Sequence, residues 1–432
     1  MYFSSKPVST TPLFYITFCL LLTSSLHAQV DCDNTSTGFV PINDLGGGFF
    51  DGYEGGLYPD GSNTLPAQHK KAGKMLGSNI KPLNALGEVD MDSGKIVFAA
   101  FGASTAGNTF NVFKDMIYAD PDNYNPCLRM QNLCLGGKGI EFMSADHNWY
   151  YLYLDSILDA HHIDPLQVQV AWIKGSSKED SVPEFPLQPD SIYEKYIRAI
   201  QGLKGHFPNL KILYMSSHAY GGYAGEESNN WAIAGEPAAY YGGYAVKWVI
   251  RDQIQHSPEM AYKGLDIKAP WVCWGPYFWA DGLNPRLSDG LTWQCDNYEI
   301  DGGGFHLSES GKEKEANMML DFFANDISSK KWFRNGPTWA TCVWGEKASN
   351  DPDYYDYYTD ELVIYPVPNH GAFQVAYHSE QAATHSVEVY NLQGQKVYTQ
   401  VYDVAEGSVV LPVEIPDVAT AVLSGCCAHR NF

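Results

Sequence analysis

From Lys95 onward the chain alternates short apolar, β-rich runs with stretches of helical periodicity, and this alternation constrains the fold more than any other feature. Strands covered on both faces read as continuous apolar runs, and consecutive parallel strands need a crossover that is usually a helix. The runs are residues 95–101, 129–134, 167–173, 211–216 and 270–274. Between them, Ser191 followed by Glu194 has capping-box spacing, with Tyr193, Tyr196, Ile197 and Ile200 on one helical face. A further helix is predicted over 242–254, and a last one starts at 308–310, carries Ala316, Met319, Leu320 and Phe323 at helical spacing and stops before Asp326. The pattern predicts an α/β fold with a doubly wound, mostly parallel five-stranded sheet.

After Phe333 the texture changes. Residues 334–360 are rich in Gly, Pro, Asp and Tyr without a sustained period and read as a linker. Residues 361–432 then alternate apolar and polar side chains over 362–365, 372–377, 386–391, 395–401 and 408–413, with turn signals at Asn369-His370-Gly371 and Leu392-Gln393-Gly394. That is the pattern of a small all-β sandwich. At the other end, Lys6, the apolar run 12–22 and the small residues 24–28 form the three parts of a secretory signal, so residues 1–29 are expected to be removed on export. The apolar run is short for a bilayer span, which argues against an integral membrane protein. The main domain is expected over residues 30–333, long enough for a sizeable core.

With 28 Lys and Arg against 50 Asp and Glu, the formal net charge is −22. Such a surface repels phosphate backbones and anionic membranes, which excludes nucleic acid as a partner and favours neutral or cationic ones. Loss of the leader leaves Cys32, Cys127, Cys134, Cys273, Cys295 and Cys342 in the body, with Cys426 and Cys427 at the end. These suit an oxidising compartment, and proximity in sequence favours Cys127 with Cys134 and Cys273 with Cys295 among the many pairings available. No Cys-x-x-Cys or His-x-x-x-His cluster occurs, so neither a metal nor a cofactor is expected. The acidic run 351–360 reads as solvated linker, with a calcium loop as the rival reading.

In open α/β sheets the reactive groups sit at the carboxyl ends of the strands. The first run leads into Phe101-Gly102-Ala103-Ser104-Thr105, where small residues permit a sharp turn and the following helix points its N-terminus at Ser104. The second constellation is Asp301-Gly302-Gly303-Gly304-Phe305-His306-Leu307-Ser308, just before the last helix. There His306 is a candidate base, and Asp301 can accept its other ring N–H and fix the tautomer. Ser216 and Ser217 are a rival nucleophile, ranked lower because His218 follows too closely to face the serine hydroxyl.

The combination of Ser104 after the first strand with Asp301 and His306 before the last helix resembles the SGNH, or GDSL-type, hydrolase family, over roughly residues 95–325. The resemblance implies a flavodoxin-like sheet and an ester hydrolase with Ser104 as nucleophile, His306 as base and Asp301 as orienting acid. It also implies an oxyanion hole formed by the backbone N–H of Ser104 and of a glycine in an Asn-x-x-x-x-Gly context. In Asn132-Leu133-Cys134-Leu135-Gly136-Gly137 that glycine is Gly137, with Gly136 as the fallback. Two departures stand out. Asp301 lies five residues before His306, where the family has Asp-x-x-His, which leaves Glu299 as a possible stand-in. The family's Gly-x-Asn-Asp segment after the third strand is replaced by Lys174-Gly175-Ser176-Ser177, so the third oxyanion donor is unassigned among these residues. Clusters of Tyr, Trp and Gly after the fourth and fifth strands, such as Trp274-Gly275-Pro276-Tyr277-Phe278-Trp279, are compatible with a sugar-stacking platform or with caps on the sheet.

The C-terminal part, opening with Tyr365-Pro366-Val367-Pro368-Asn369 and continuing with Val389-Tyr390-Asn391-Leu392-Gln393-Gly394, resembles the sorting domain of the type IX secretion system. That resemblance implies a Bacteroidetes-type bacterium, a partner in the type IX secretion machinery, and passage through the periplasm to release or surface anchoring. Its end, Cys426-Cys427-Ala428-His429-Arg430-Asn431-Phe432, departs from the family's basic C-terminus. Taken together, the expected function is a secreted serine esterase that removes acyl groups, such as acetyl, from a small-molecule or polysaccharide ester. The alternative is a glycan-binding protein that has kept the fold and lost the chemistry.

Overall fold

The computed structural model describes residues 30–180, 182–225, 231–299 and 303–339, and in the C-terminal part 363–365, 372–379, 382–390, 396–404, 407–415 and 426–429. The expected leader 1–29, Asp301, Cys342 and the acidic run 351–360 lie outside the described residues.

Five strands form one sheet: β1 (Ile96–Gly102), β2 (Leu128–Asn132), β3 (Val168–Lys174), β4 (Ile212–Ser216) and β5 (Trp271–Trp274). Their order is β2-β1-β3-β4-β5 and every neighbouring pair is parallel. Each predicted run became a strand, because β1, β3, β4 and β5 are buried along their whole length and only continuous apolar runs tolerate that.

The longer helices among the described residues are α1 (Ala67–Ser78), α2 (Ser104–Tyr118), α3 (Asn148–Ala160), α4 (Leu187–His206), α5 (Ala238–Ile254) and α6 (Glu309–Asn325). Successive strand residues point to opposite faces. Phe98 accordingly meets Phe110 of α2 and Phe323 of α6, whereas Phe101 meets Phe207 at the end of α4. Helices α2 and α6 pack against each other, as do α4 and α5. This is the doubly wound α/β class, with the chain reversing direction between β1 and β3; that switch point opens a crevice at the carboxyl edge.

Helix α4 starts at Leu187, before the predicted capping box, and α5 at Ala238, before residue 242. In each case a proline, Pro186 or Pro237, stands at the N-cap. A proline needs no N–H there, so it opens the helix and leaves Ser191 inside it. Helix α6 starts as predicted, with the Ser308 hydroxyl accepting from the Gly311 amide at 3.4 Å. The packed unit also runs beyond Phe333, since Trp339 is buried in the main core beside Lys81.

Both expected cysteine pairings are corrected. Cys32 is bonded to Cys295, and Cys134 and Cys273 are buried free thiols. Cys127 is disulfide-bonded, but not to Cys134. Those two flank β2, and an extended strand at about 3.3 Å per residue holds its ends far beyond the roughly 7 Å Cα separation that a disulfide spans. Cys273 lies inside β5 and Cys295 opens a short 3₁₀ turn, so nearness in sequence did not bring them together.

The C-terminal strands are β6 (Val363–Tyr365), β7 (Ala372–Ser379), β8 (Ala383–Tyr390), β9 (Lys396–Val404), β10 (Gly407–Glu414) and β11 (Cys426–His429). They make two three-stranded antiparallel sheets, β10-β7-β6 and β9-β8-β11. Phe373, Val375, Leu411 and Val413 from one and Val387, Val389 and Val404 from the other share a single apolar cluster. The alternation read from the sequence thus became two facing sheets, and the unusual end supplies strand β11.

Candidate active site

Strand β1 ends at Gly102, whose φ is +149°. A Cβ there would stand 2.2 Å from the carbonyl oxygen of Lys174, so glycine is what lets β1 run against the end of β3 before the chain turns. Ala103 is the N-cap of α2, and Ser104 is its first residue. The first-turn N–H groups of a helix have no intrahelical partner, so the amides around Ser104 face the crevice unpaired within the helix.

His306 comes from a loop closed like a hairpin. Tyr298 pairs antiparallel with Leu307, the Glu299 amide donates to the His306 carbonyl at 2.9 Å, and the Ser308 amide donates to the Asn297 carbonyl at 2.9 Å. Gly304, with φ +77°, passes so near Tyr223 that a Cβ would lie 2.1 Å from its carbonyl oxygen. The result is that Ser104 Oγ and His306 Nε2, 202 residues apart, stand 2.8 Å from each other.

The Glu299 carboxylate pairs with Lys312 at 3.0 Å through Oε1. Gly137, with φ +69°, lines the same pocket as Ser104, whereas Gly136 is buried and does not. The glycine loop is held by Leu135 N–H donating to the Gly102 carbonyl at 2.9 Å. Asn132 braces it further, its Oδ1 accepting from the Cys134 amide at 3.0 Å and its Nδ2 donating to the Gly107 carbonyl at 3.1 Å.

The segment after β3 divides. Lys174 turns inward to a buried ion pair with Glu315 of α6, so its ammonium is committed away from the pocket. Ser177 is buried and accepts from Lys195 at 2.8 Å. Gly175 and Ser176 line the pocket, the Gly175 amide donating to the Tyr196 hydroxyl at 3.2 Å. Of the rival serines, Ser216 donates to the Pro276 carbonyl at 2.7 Å, and the buried Ser217 hydroxyl has no hydrogen-bond partner, hence no base.

His218 was set aside in the sequence by weighing it against Ser217, yet its ring lines the pocket with Ser104. Burial first, and the Lys174 charge second, push its pKa down to about 3, so it is neutral near pH 7. Its Nε2 is sealed from solvent without a hydrogen-bond partner. The loop bearing it is held by the buried Glu236 carboxylate, which accepts from the Gly221 amide and from Trp279 Nε1, each at 2.8 Å. The sequence signal was its position after a strand whose neighbour, β3, adjoins β1.

The pocket has a volume of about 50 Å³. Since ~10–15 Å³ of such space holds one water, it suits a group of a few heavy atoms. Of the two readings of the aromatics after β4 and β5, burial favours the cap: Tyr220, Tyr223, Trp274, Tyr277, Phe278 and Trp279 are buried. The half-exposed rings beside the site are instead Phe305, which lines the pocket, and Phe142 and Trp149, which flank Lys138. Among the described residues no cluster of three or more His, Cys, Asp or Glu is placed to hold a metal ion.

The C-terminal strands settle one question. Residues 363–414 match the secretion system C-terminal sorting domain. The match covers β6 to β10, and a domain of this type addresses the chain to the type IX secretion machinery for release or display at the cell surface. Among the described residues no helix is long and apolar enough to cross a membrane. No curated protein sequence matches the chain.

Proposed function

We propose that the exported protein is a serine ester hydrolase of the SGNH type, acting on short acyl esters such as acetyl groups carried by carbohydrate. The observation that carries the proposal is the 2.8 Å contact between Ser104 Oγ and His306 Nε2 at the carboxyl edge of a doubly wound sheet. In this reading His306 Nε2 takes the proton from the Ser104 hydroxyl as Oγ attacks the ester carbonyl. The backbone N–H groups of Ser104 and Gly137 receive the oxyanion, and neutral His218 is the third donor where the family uses asparagine. The carbon–oxygen bond to the alcohol then breaks, and His306 returns the proton to the departing oxygen. Water, deprotonated by His306, releases the acyl group as its acid and restores the Ser104 hydroxyl. The size of the pocket favours acetyl over long chains, and the half-exposed Phe305, Phe142 and Trp149 support a sugar as the alcohol. Asp301 keeps its proposed place as the orienting acid.

The test is release of p-nitrophenol from its acetate and butyrate esters by the secreted protein. Turnover is expected for acetate above butyrate, with Ser104→Ala and His306→Ala each lowering kcat by at least about 10³-fold. An inert wild type, or an equally active Ser104→Ala protein, refutes the assignment and favours the glycan-binding alternative.

A further inference from the structure

Among the described residues, those that line the Ser104 pocket include no carboxylate and two ammonium groups, Lys138 and Lys178. This is unusual placement in a chain whose formal net charge is −22. Lys138 follows the Gly137 loop, and its Nζ stands 5.2 Å from the Phe142 ring centre and 5.7 Å from that of Trp149, so two aromatic faces hold it without neutralising it. Lys178 comes from the loop after β3 and is exposed. Burial, and then repulsion from Lys178, push the Lys138 pKa below its usual value.

Neighbouring acids among the described residues do not answer these charges with a direct pair. Glu179 and Asp180 both bind Lys195, at 3.2 and 2.8 Å. Glu141 is the nearest candidate, but its Oε1 accepts from the Lys178 backbone amide at 3.3 Å, and its Oε2 is buried without a hydrogen-bond partner. Two like charges from different loops therefore meet at the mouth of a small pocket, beside the nucleophile, with only the partial compensation of Glu141.

We infer that the substrate is an anionic ester, a short acyl group on an alcohol that carries a carboxylate or sulfate, with Lys138 and Lys178 receiving that anion at the mouth while the acyl group enters beside Ser104. The inference rests on the ester hydrolase reading and adds the charge class of the substrate. It also resolves an apparent conflict, because the overall charge predicts poor encounter with anions and only a local cationic rim reverses that at one place.

The experiment compares a matched pair of esters that differ in one charge, 4-acetoxybenzoate and its methyl ester, by acetate release at low and high salt. The expected result is a higher kcat/KM for the anion that falls with added salt. The anion-to-neutral ratio of kcat/KM should drop about fivefold in Lys138→Gln and again in Lys178→Gln, mainly through KM, and should invert in Lys138→Glu. Turnover of both esters with a ratio near one, or a ratio indifferent to the lysine substitutions, overturns the inference and leaves the hydrolase reading standing. Failure to cleave either ester, together with inertness toward p-nitrophenyl acetate, overturns the hydrolase reading and the inference with it.

Discussion

Replacing Glu315 with leucine should destabilise the protein far more than an ordinary core substitution, and replacing its partner at the same time should undo most of the damage. The Glu315 carboxylate is completely buried and pairs with Lys174 Nζ, which is also buried. Its Oε2 also accepts from the Thr109 hydroxyl at 2.6 Å. The cluster ties the end of β3 to α2, which presents Ser104, and to α6, which follows His306. Removing one member strands the other charge, a loss of about 3–5 kcal/mol against a total stability of about 5–15 kcal/mol. In Glu315→Leu the ammonium of Lys174 keeps only the faces of Phe278 at 5.3 Å and Trp172 at 6.0 Å. The double variant Lys174→Met with Glu315→Leu strands nothing. Thr109 retains a bond to the Thr105 carbonyl at 3.2 Å, and Glu315 Oε1, already buried without a hydrogen-bond partner, takes an unsatisfied atom away with it. The double variant should therefore fall within about 1 kcal/mol of wild type. Urea unfolding followed by tryptophan fluorescence measures all three. Single variants that lose less than about 1 kcal/mol, or a double variant as weak as the worse single one, would refute the reasoning.

Four further outcomes follow from other parts of the site and its support. Gly102→Ala puts a methyl group 2.2 Å from the Lys174 carbonyl at a φ of +149°, so it should lose about 3 kcal/mol in urea titration and, on the proposed hydrolase reading, most turnover of p-nitrophenyl acetate. Burial raises the Glu236 pKa from 4.5 to about 7, so the unfolded chain ionises first. Its contribution to stability is therefore fully present below about pH 4.5 and lost by about pH 7, some 3 kcal/mol in all, and parallel pH–stability curves for wild type and Glu236→Gln would contradict it. Removing the Cys32–Cys295 bridge, which closes a loop of 263 residues, with the pair Cys32→Ser and Cys295→Ser should lower stability by about 2–5 kcal/mol in the same titration. Finally, His218→Ala should reduce kcat on p-nitrophenyl acetate by about 10²-fold with little change in KM, whereas a residue that only packs would leave kcat within a fewfold.

The sheet was legible because its signal is local. A strand buried on both faces has to be an unbroken apolar run, and 95–101 or 211–216 can be little else. Ser104 and His306 were legible for a related reason: each lies where a strand or loop passes directly into a helix, and Ser308 announces the start of α6 by its capping chemistry. What the sequence concealed depends on neighbours that only the topology supplies. The pairing of Cys32 with Cys295 needs the N-terminal segment to cross the far loops, where Asp281 accepts from the Thr37 amide at 2.6 Å and the Ser36 hydroxyl at 2.6 Å. No run of residues near Cys32 encodes that crossing. The aromatics after β4 and β5 look like a binding surface in one dimension, and become caps once the loops that bear them fold over the sheet.

His218 and Lys174 show the same limit from the side of chemistry. Each was judged in the sequence by its nearest chain neighbours, His218 against Ser217 and Lys174 as a replacement donor in the oxyanion hole. The order β1-β3-β4 exchanges their places: the histidine reaches the pocket and the lysine does not. The exchange has one physical source. Lys174 is the last residue of β3 and its side chain goes into the interior to meet Glu315, so its charge lies behind the pocket wall. From there it adds to the desolvation that keeps His218 uncharged. An imidazole held neutral can donate to a developing oxyanion without first pairing with a substrate carboxylate, and the proposed recognition of an anion would then fall to Lys138 and Lys178. On the proposed hydrolase reading, a neutral donor within and cationic groups at the rim would let one small pocket attract a negative substrate and still favour the charge that forms during reaction.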